Sequence, residues 1–161
     1  MQVGVVRHSE RHVHADPPQT AELEALSDDV GAALEAELAS HPGLSAERAI
    51  AVAGTPASLA AIELGLETYD AEQVEGHTLR LPAIQQSCSR LASLALEDRR
   101  EVVGLHPDRA PTIVAGVVIL IKAMRAFGVS EVEVSEHDIL YGAALAAADG
   151  EIQPSANGHP R

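Results

Sequence analysis

The 161-residue sequence has no tryptophan, one phenylalanine and two tyrosines. That poverty excludes an aromatic core. The interior has to be built from Ala, Val, Leu and Ile, and small side chains of this kind reach interior density only where backbones approach closely. Cysteine is scarce as well. Cys88 stands alone, so neither an internal disulfide nor a cysteine-based zinc site is available. It continues the helical spacing of Ile84, Leu91 and Ala95, the place of a small apolar side chain and not of a nucleophile. Lysine occurs once, at Lys122, and the remaining cations are arginines; together they number 11 against 24 acidic residues, a formal charge of −13. A field of that sign argues against nucleic acid and anionic membrane as partners, and a phosphate-rich ligand would need a local cluster of amides, arginines or metal ions to hold it. Long apolar runs are missing too: stretches such as residues 113–121, nine residues long, do not span a bilayer. The opening MQVGVVRHSE lacks the basic and apolar segments of a secretory signal. The expectation is one soluble, cytoplasmic domain.

What the sequence does have is centred on residues 49–66, AIAVAGTPASLAAIELGL. Ile50 and Val52 lie in an apolar run of strand length, and the residues after Pro56 carry a helical pattern. Between them Gly54 permits a tight turn, Thr55 is a good N-cap, and Pro56 suits the first helical position. The spacing predicts strand, glycine turn, helix. Such a helix start offers unpaired amides and the positive end of a dipole, a setting for phosphate that would involve Gly54, Thr55 and Ser58. The bland reading is equally open: Thr55 and Ser58 merely cap a βα unit. No second glycine completes a Walker A or GxGxxG loop.

Elsewhere, residues 2–14 read as a strand that places His8, His12 and His14 on one face. HxxxHxH followed by Asp16 is a metal pattern, yet histidines along a solvated strand end are common and nothing fixes ligand geometry, so no metal site is assigned. Thr20 is the expected cap of an amphipathic helix through about Ala39, with Leu23, Leu26, Val30, Leu34 and Leu38 on its inner side. Residues 68–78 read as loop, and Pro82 opens a helix through about Leu96. Asp108 is the expected cap of the following helix, with Pro111 in its first turn; that helix is apolar nearly all round and should be the most buried. Residues 132–134 form a short strand, and residues 139–148 a helix. Residues 149–161 have no periodicity and are expected to be disordered.

Strands alternating with helices define an α/β fold, and ligands of such folds bind beyond the carboxyl ends of the strands. The turns at 54–58 and 135–138 both follow a strand's carboxyl end, so they can face one cleft. The second turn offers Glu136, His137 and Asp138, side chains able to orient water, hold a metal or exchange protons. Acidic residues there are also ordinary helix-start chemistry.

Four separated segments, GVVRHSERHVHADPP, VAGTPASLAAIELGLETYD, GLHPDRAPTIVAGVVIL and VSEHDILYG, in this order resemble the second half of Ppx/GppA phosphatases, the exopolyphosphatase and guanosine pentaphosphate phosphohydrolase family. The resemblance runs from about Val3 to Ala148 and is greatest to actinobacterial members. It implies a partial ribonuclease H-like lobe of the actin-like, acetate and sugar kinase superfamily, a mixed sheet flanked by helices. In that superfamily two lobes close around phosphate chains and a divalent metal, here magnesium. It also implies a second lobe over residues 1–148 without counterparts of the family's first lobe, its catalytic glutamate or the DxGGGS-type loop. Pro56, Pro111 and Leu140-Tyr141 depart from the family pattern.

The resemblance implies a truncated or divergent phosphohydrolase lobe, whose ancestral reaction is metal-assisted hydrolysis of a terminal phosphoanhydride of polyphosphate or guanosine pentaphosphate. Alone it is expected to be inactive, because two lobes are needed to surround the substrate. The partners implied are a phosphate-rich small molecule or polyphosphate and a separately encoded first lobe. The competing reading is a non-catalytic phosphate-binding or protein-interaction module. A strand edge at residues 2–7 would further favour a homo-oligomer.

Overall fold

A computed structural model describes residues 2–148; the expected disorder of residues 149–161 lies outside the described residues. From the N-terminus the elements are α1 (Val5–His12), α2 (Thr20–Ser40), β1 (Ile50–Val52), α3 (Gly54–Leu64), α4 (Ala71–Val74), β2 (Thr78–Arg80), α5 (Leu81–Ser93), α6 (Leu96–Arg100), α7 (Ile113–Ala126), β3 (Glu131–Ser135) and α8 (Ile139–Ala148). A 3-10 turn occupies Pro107–Arg109. The strands form one mixed sheet in the order β1-β3-β2, with β1 parallel and β2 antiparallel to β3. Period-two patterning is plain in β3, where Val132 and Val134 are buried and Glu131 is exposed.

Helix α7 is the organising helix of the core. Its valines and isoleucines are buried on several sides because it packs against α1, α2, α3 and α5. The shortage of aromatics is met by close approach. A methyl group built on Gly116 of α7 would collide with the Thr55 hydroxyl, and one built on Gly104 would collide with the backbone of α3 at Ala61. Ala57, Ala60 and Ala61 fill the space between. Cys88 sits half-buried between the two apolar clusters, and burial raises its thiol pKa.

Four local readings are corrected. Residues 5–12 are a helix where alternation predicts a strand, so residues 2–7 offer no strand edge for self-association. The reason is tertiary: as a helix, α1 lays His8 and Ser9 against α2 and α7, burying both. His8 and His12, four residues apart, then face Asp29 of α2 together, and His12 Nε2 lies 2.8 Å from its carboxylate. The cap of α2 is Gln19 and not Thr20, because Glu22 reaches back to the amides of Gln19, His14 and Ala15 at 2.9 to 3.0 Å. Those amides hold the Glu22 carboxyl below its ordinary range. Asp108 belongs to the 3-10 turn, and Thr112 precedes α7 without a side-chain cap. Residues 68–78 include α4 and the start of β2, which gains its order from pairing with β3.

Candidate functional site

The parallel pairing of β1 with β3 sets Val52 opposite Ser135, so the chain leaves both strands at the same end of the sheet. The turns that follow meet across an open cleft of about 510 Å³. Gly54 and Ser58 line one wall, Glu136 and Asp138 another, and residues 104–109 contribute His106 and Arg109. Leu66, Glu67 and Tyr69 close the remaining side.

Helix α3 starts abruptly. Its N-cap is Ala53, with φ 74° and ψ −169°, and no side chain caps the first turn. Thr55 is therefore not the cap that its position suggests; its side chain packs on Gly116 of α7, away from the cleft. Pro56 falls in the third helical position and is buried. Ala53 occupies a backbone region that glycine alone enters without strain, at a cost of about 1–3 kcal/mol to other residues. Ala53→Gly is expected to raise unfolding stability by about 1 kcal/mol. Thermal and urea denaturation measure this, and an unchanged or lowered stability would show that the turn is relaxed.

Arg109 was not legible as a site residue. Its guanidinium lies directly against Gly54, so close that a methyl group on Gly54 would overlap it. Among the described residues that guanidinium has no hydrogen-bond or ion-pair partner. Ser58, one turn into α3, is 7 % exposed and lines the cleft, and no hydrogen bond of its hydroxyl is found among the described residues. An exposed cation, a cleft-facing hydroxyl and an uncapped helix start thus converge on one spot, an arrangement able to hold an anion.

The second turn is more committed to structure. Glu136 accepts a hydrogen bond from the Tyr69 hydroxyl at 2.5 Å, and its own amide donates to Glu75. Desolvation, with the Glu136 carboxylate second, pushes the Tyr69 hydroxyl pKa well upward, while the Glu136 amide pulls the Glu75 carboxyl down. Asp138 accepts from the amides of Leu140 and Tyr141 and so starts α8. His137 points elsewhere, 3.4 Å from Glu75 and with its ring centroid 4.3 Å from that of Tyr141. The cleft brings together Gly54, Ser58, Glu136 and Asp138; the side chains of Thr55 and His137 are not among its walls.

Divalent metal does not fit these residues unaided. Among the described residues no group of three or more His, Cys, Asp or Glu side chains could hold an ion. The two carboxylates of the second turn are engaged with Tyr69 and with backbone amides. His8, His12 and Asp29 lie together, but Arg11 shares the same carboxylate oxygen at 2.9 Å.

The mixed sheet flanked by helices, with a cleft at the carboxyl ends of parallel strands, is an α/β fold, and the solved proteins it superposes on, Ppx/GppA proteins, have the actin-like ATPase fold. A solved Aquifex aeolicus member of the Ppx/GppA family superposes with a TM-score of 0.85 at 22 % identity, over 96 % of this chain and 49 % of that one. The sequence pattern of the Ppx/GppA phosphatase family matches residues 1–146, and the chain belongs to that family. It is 33 % identical over 152 residues to Exopolyphosphatase 2 of Mycobacterium tuberculosis, covering 91 % of this chain and 47 % of that protein. To Exopolyphosphatase 1 of Mycobacterium bovis it is 29 % identical over 160 residues, covering 96 % and 45 %. The chain spans about half the length of these relatives. Among the described residues no helix is long and apolar enough to cross a membrane.

Proposed function

We propose that residues 1–148 form the second lobe of a Ppx/GppA phosphatase and hold one phosphate group of the substrate at the start of α3. The observation that carries this reading is Arg109: an exposed guanidinium without a partner among the described residues, laid on the first residue of an uncapped helix and beside Ser58. A terminal phosphate there would accept hydrogen bonds from the Gly54 and Thr55 amides, the Ser58 hydroxyl and the Arg109 guanidinium. Four donors on one anion offset the repulsion of the −13 chain. The reaction served is hydrolysis of a terminal phosphoanhydride of polyphosphate or guanosine pentaphosphate, with a first lobe closing over the other side of the cleft. The described residues offer magnesium no ligand set, and what they do is bind and orient the anion.

A second reading, a phosphate-binding module without catalysis of its own, is favoured by the engagement of Glu136 and Asp138 in structural hydrogen bonds. Both readings make the same test decisive. Isothermal titration with inorganic phosphate should show binding, and Arg109→Ala should weaken it by about 10- to 100-fold, the worth of a charge-assisted contact. Arg109→Lys should retain part of the affinity, because the charge survives and the planar fork does not. Equal affinity in Arg109→Ala, or no binding by the native chain at millimolar phosphate, would overturn the proposal.

A further inference from the structure

The cations Arg90, Arg109, Lys122 and Arg125 have neither a hydrogen-bond nor an ion-pair partner among the described residues. In a chain with 24 acidic residues that omission is selective, since Arg11, Arg48, Arg80, Arg99 and Arg100 are each paired with a carboxylate. Arg109 marks the cleft. Lys122 and Arg125 converge on a separate groove of about 220 Å³ between α2, α5 and α7, and none of the residues lining it is acidic.

The single lysine does not run its charge out into water, as lysines ordinarily do. Lys122 is half-buried, and its ammonium lies against Gly31 in the middle of α2, where an added methyl group would come within 2.9 Å of Nζ. A helix interior favours almost any residue over glycine, and the bare backbone at Gly31 leaves room for the ammonium. Arg125, three residues further along α7, brings a second positive charge to the same groove, and like charges at that spacing repel. The dipole of α7 accounts for Arg125 in its last turn but not for Lys122 before it. Neutral donors complete the lining. The Ser27 hydroxyl on α2 and the Gln85 side-chain amide on α5 make no hydrogen bond among the described residues, whereas Ser89 spends its hydroxyl on the Gln85 carbonyl at 3.1 Å. A half-buried ammonium without a partner is costly, and an anion in the groove relieves that cost and the repulsion together.

We propose that the groove between α2, α5 and α7 binds a small tetrahedral oxyanion of the phosphate class through Lys122, Arg125, Ser27 and Gln85. Two cations and two neutral donors match the charge and the several acceptor oxygens of such an ion. Glu24 and Asp28, exposed on α2, do not line the groove and leave its field positive. The site is separate from the cleft and does not rest on the reading of Arg109, so either can fail alone.

Cys88 supplies a local reporter, because it is the only cysteine and lines this groove. Its alkylation by iodoacetamide, an uncharged reagent, is followed at mildly alkaline pH, since burial raises the thiol pKa. At constant ionic strength, millimolar inorganic phosphate should slow the reaction by about threefold or more relative to chloride, as a mostly filled site demands. The double variant Lys122→Gln, Arg125→Gln should lose that protection, and it should fold, because glutamine is as good a helix former as the residues it replaces. Arg90→Gln and Arg109→Ala should keep the protection. Alkylation at the same rate in phosphate and in chloride overturns the proposal. Protection that survives the double variant also overturns it, as does protection that disappears in Arg109→Ala, which would place the effect in the cleft.

Discussion

Gly104→Ala is expected to be among the most destabilising single-methyl changes in this protein, at about 4 kcal/mol. Gly104 has φ +85°, a conformation that costs a residue with a side chain about 1–3 kcal/mol. The added methyl would also land on the Ala61 carbonyl and the Ile62 amide nitrogen of α3, which are backbone atoms that no rotamer change can move aside. That carbonyl is already in use: it accepts the Leu66 amide at 3.0 Å in the turn that ends α3 at Gly65. Overpacking of this kind costs a further 1–3 kcal/mol or so. Against a total stability of about 5–15 kcal/mol, the loss should lower the urea midpoint steeply. Phosphate affinity should fall as well in the fraction that stays folded, because residues 104–109 carry Arg109 to the cleft. A loss below about 1 kcal/mol would mean that the loop moves away from α3 at little cost.

Arg99→Met should cost about 3–5 kcal/mol, for a different reason. The Arg99 side chain is 3 % exposed and spends its donors on backbone: Nε to Leu91 O at 2.8 Å, Nη2 to Leu94 O at 2.7 Å and Nη1 to Ala110 O at 3.2 Å. One guanidinium thereby ties the end of α5 to the segment that leads into α7. Burial pulls its pKa down while Asp16, 3.9 Å away, pulls it up. Methionine fills the volume but removes all three donors from buried carbonyls. Arg99→Lys should lose about half as much, since one ammonium cannot reach three divergent oxygens. Denaturation of both variants measures the difference; equal stability of Arg99→Met and the native chain would show that water replaces the guanidinium.

The cleft was partly legible because it depends on strand ends. Gly54 and Glu136 each follow a short β-branched strand, and once those strands are parallel neighbours their turns must emerge side by side. Arg109 was not legible. Its position depends on Gly104 resting against α3, a contact between residues more than forty apart that no local pattern announces. Residues 5–12 misled for a related reason: Val5 and Val6 favour a strand locally, and docking on α2 and α7 overrides them. The histidines carried a second signal, since positions 8 and 12 share a helix face as naturally as positions 12 and 14 share a strand face. β2 is three residues long and exists by virtue of its register with β3, Thr78 opposite Glu133 and Arg80 opposite Glu131. The bodies of helices α2 and α7, whose apolar periodicity runs over several turns, are legible in the sequence, whereas their caps, set by Gln19 with Glu22 and by the 3-10 turn before Thr112, are not.

The scarcity of aromatics has an optical consequence. With tryptophan absent, near-ultraviolet absorption and emission come from two tyrosines, and both touch the same turn: Tyr69 through the Glu136 carboxylate and Tyr141 through the His137 ring. The molecule therefore carries two native chromophores against one turn, of which Tyr69 lines the cleft, and no tryptophan signal competes with them. Excited at the tyrosine band, the unlabelled chain reports on the state of residues 135–138 directly, and an anion that shifts Glu136 would be seen as a change in Tyr69 emission.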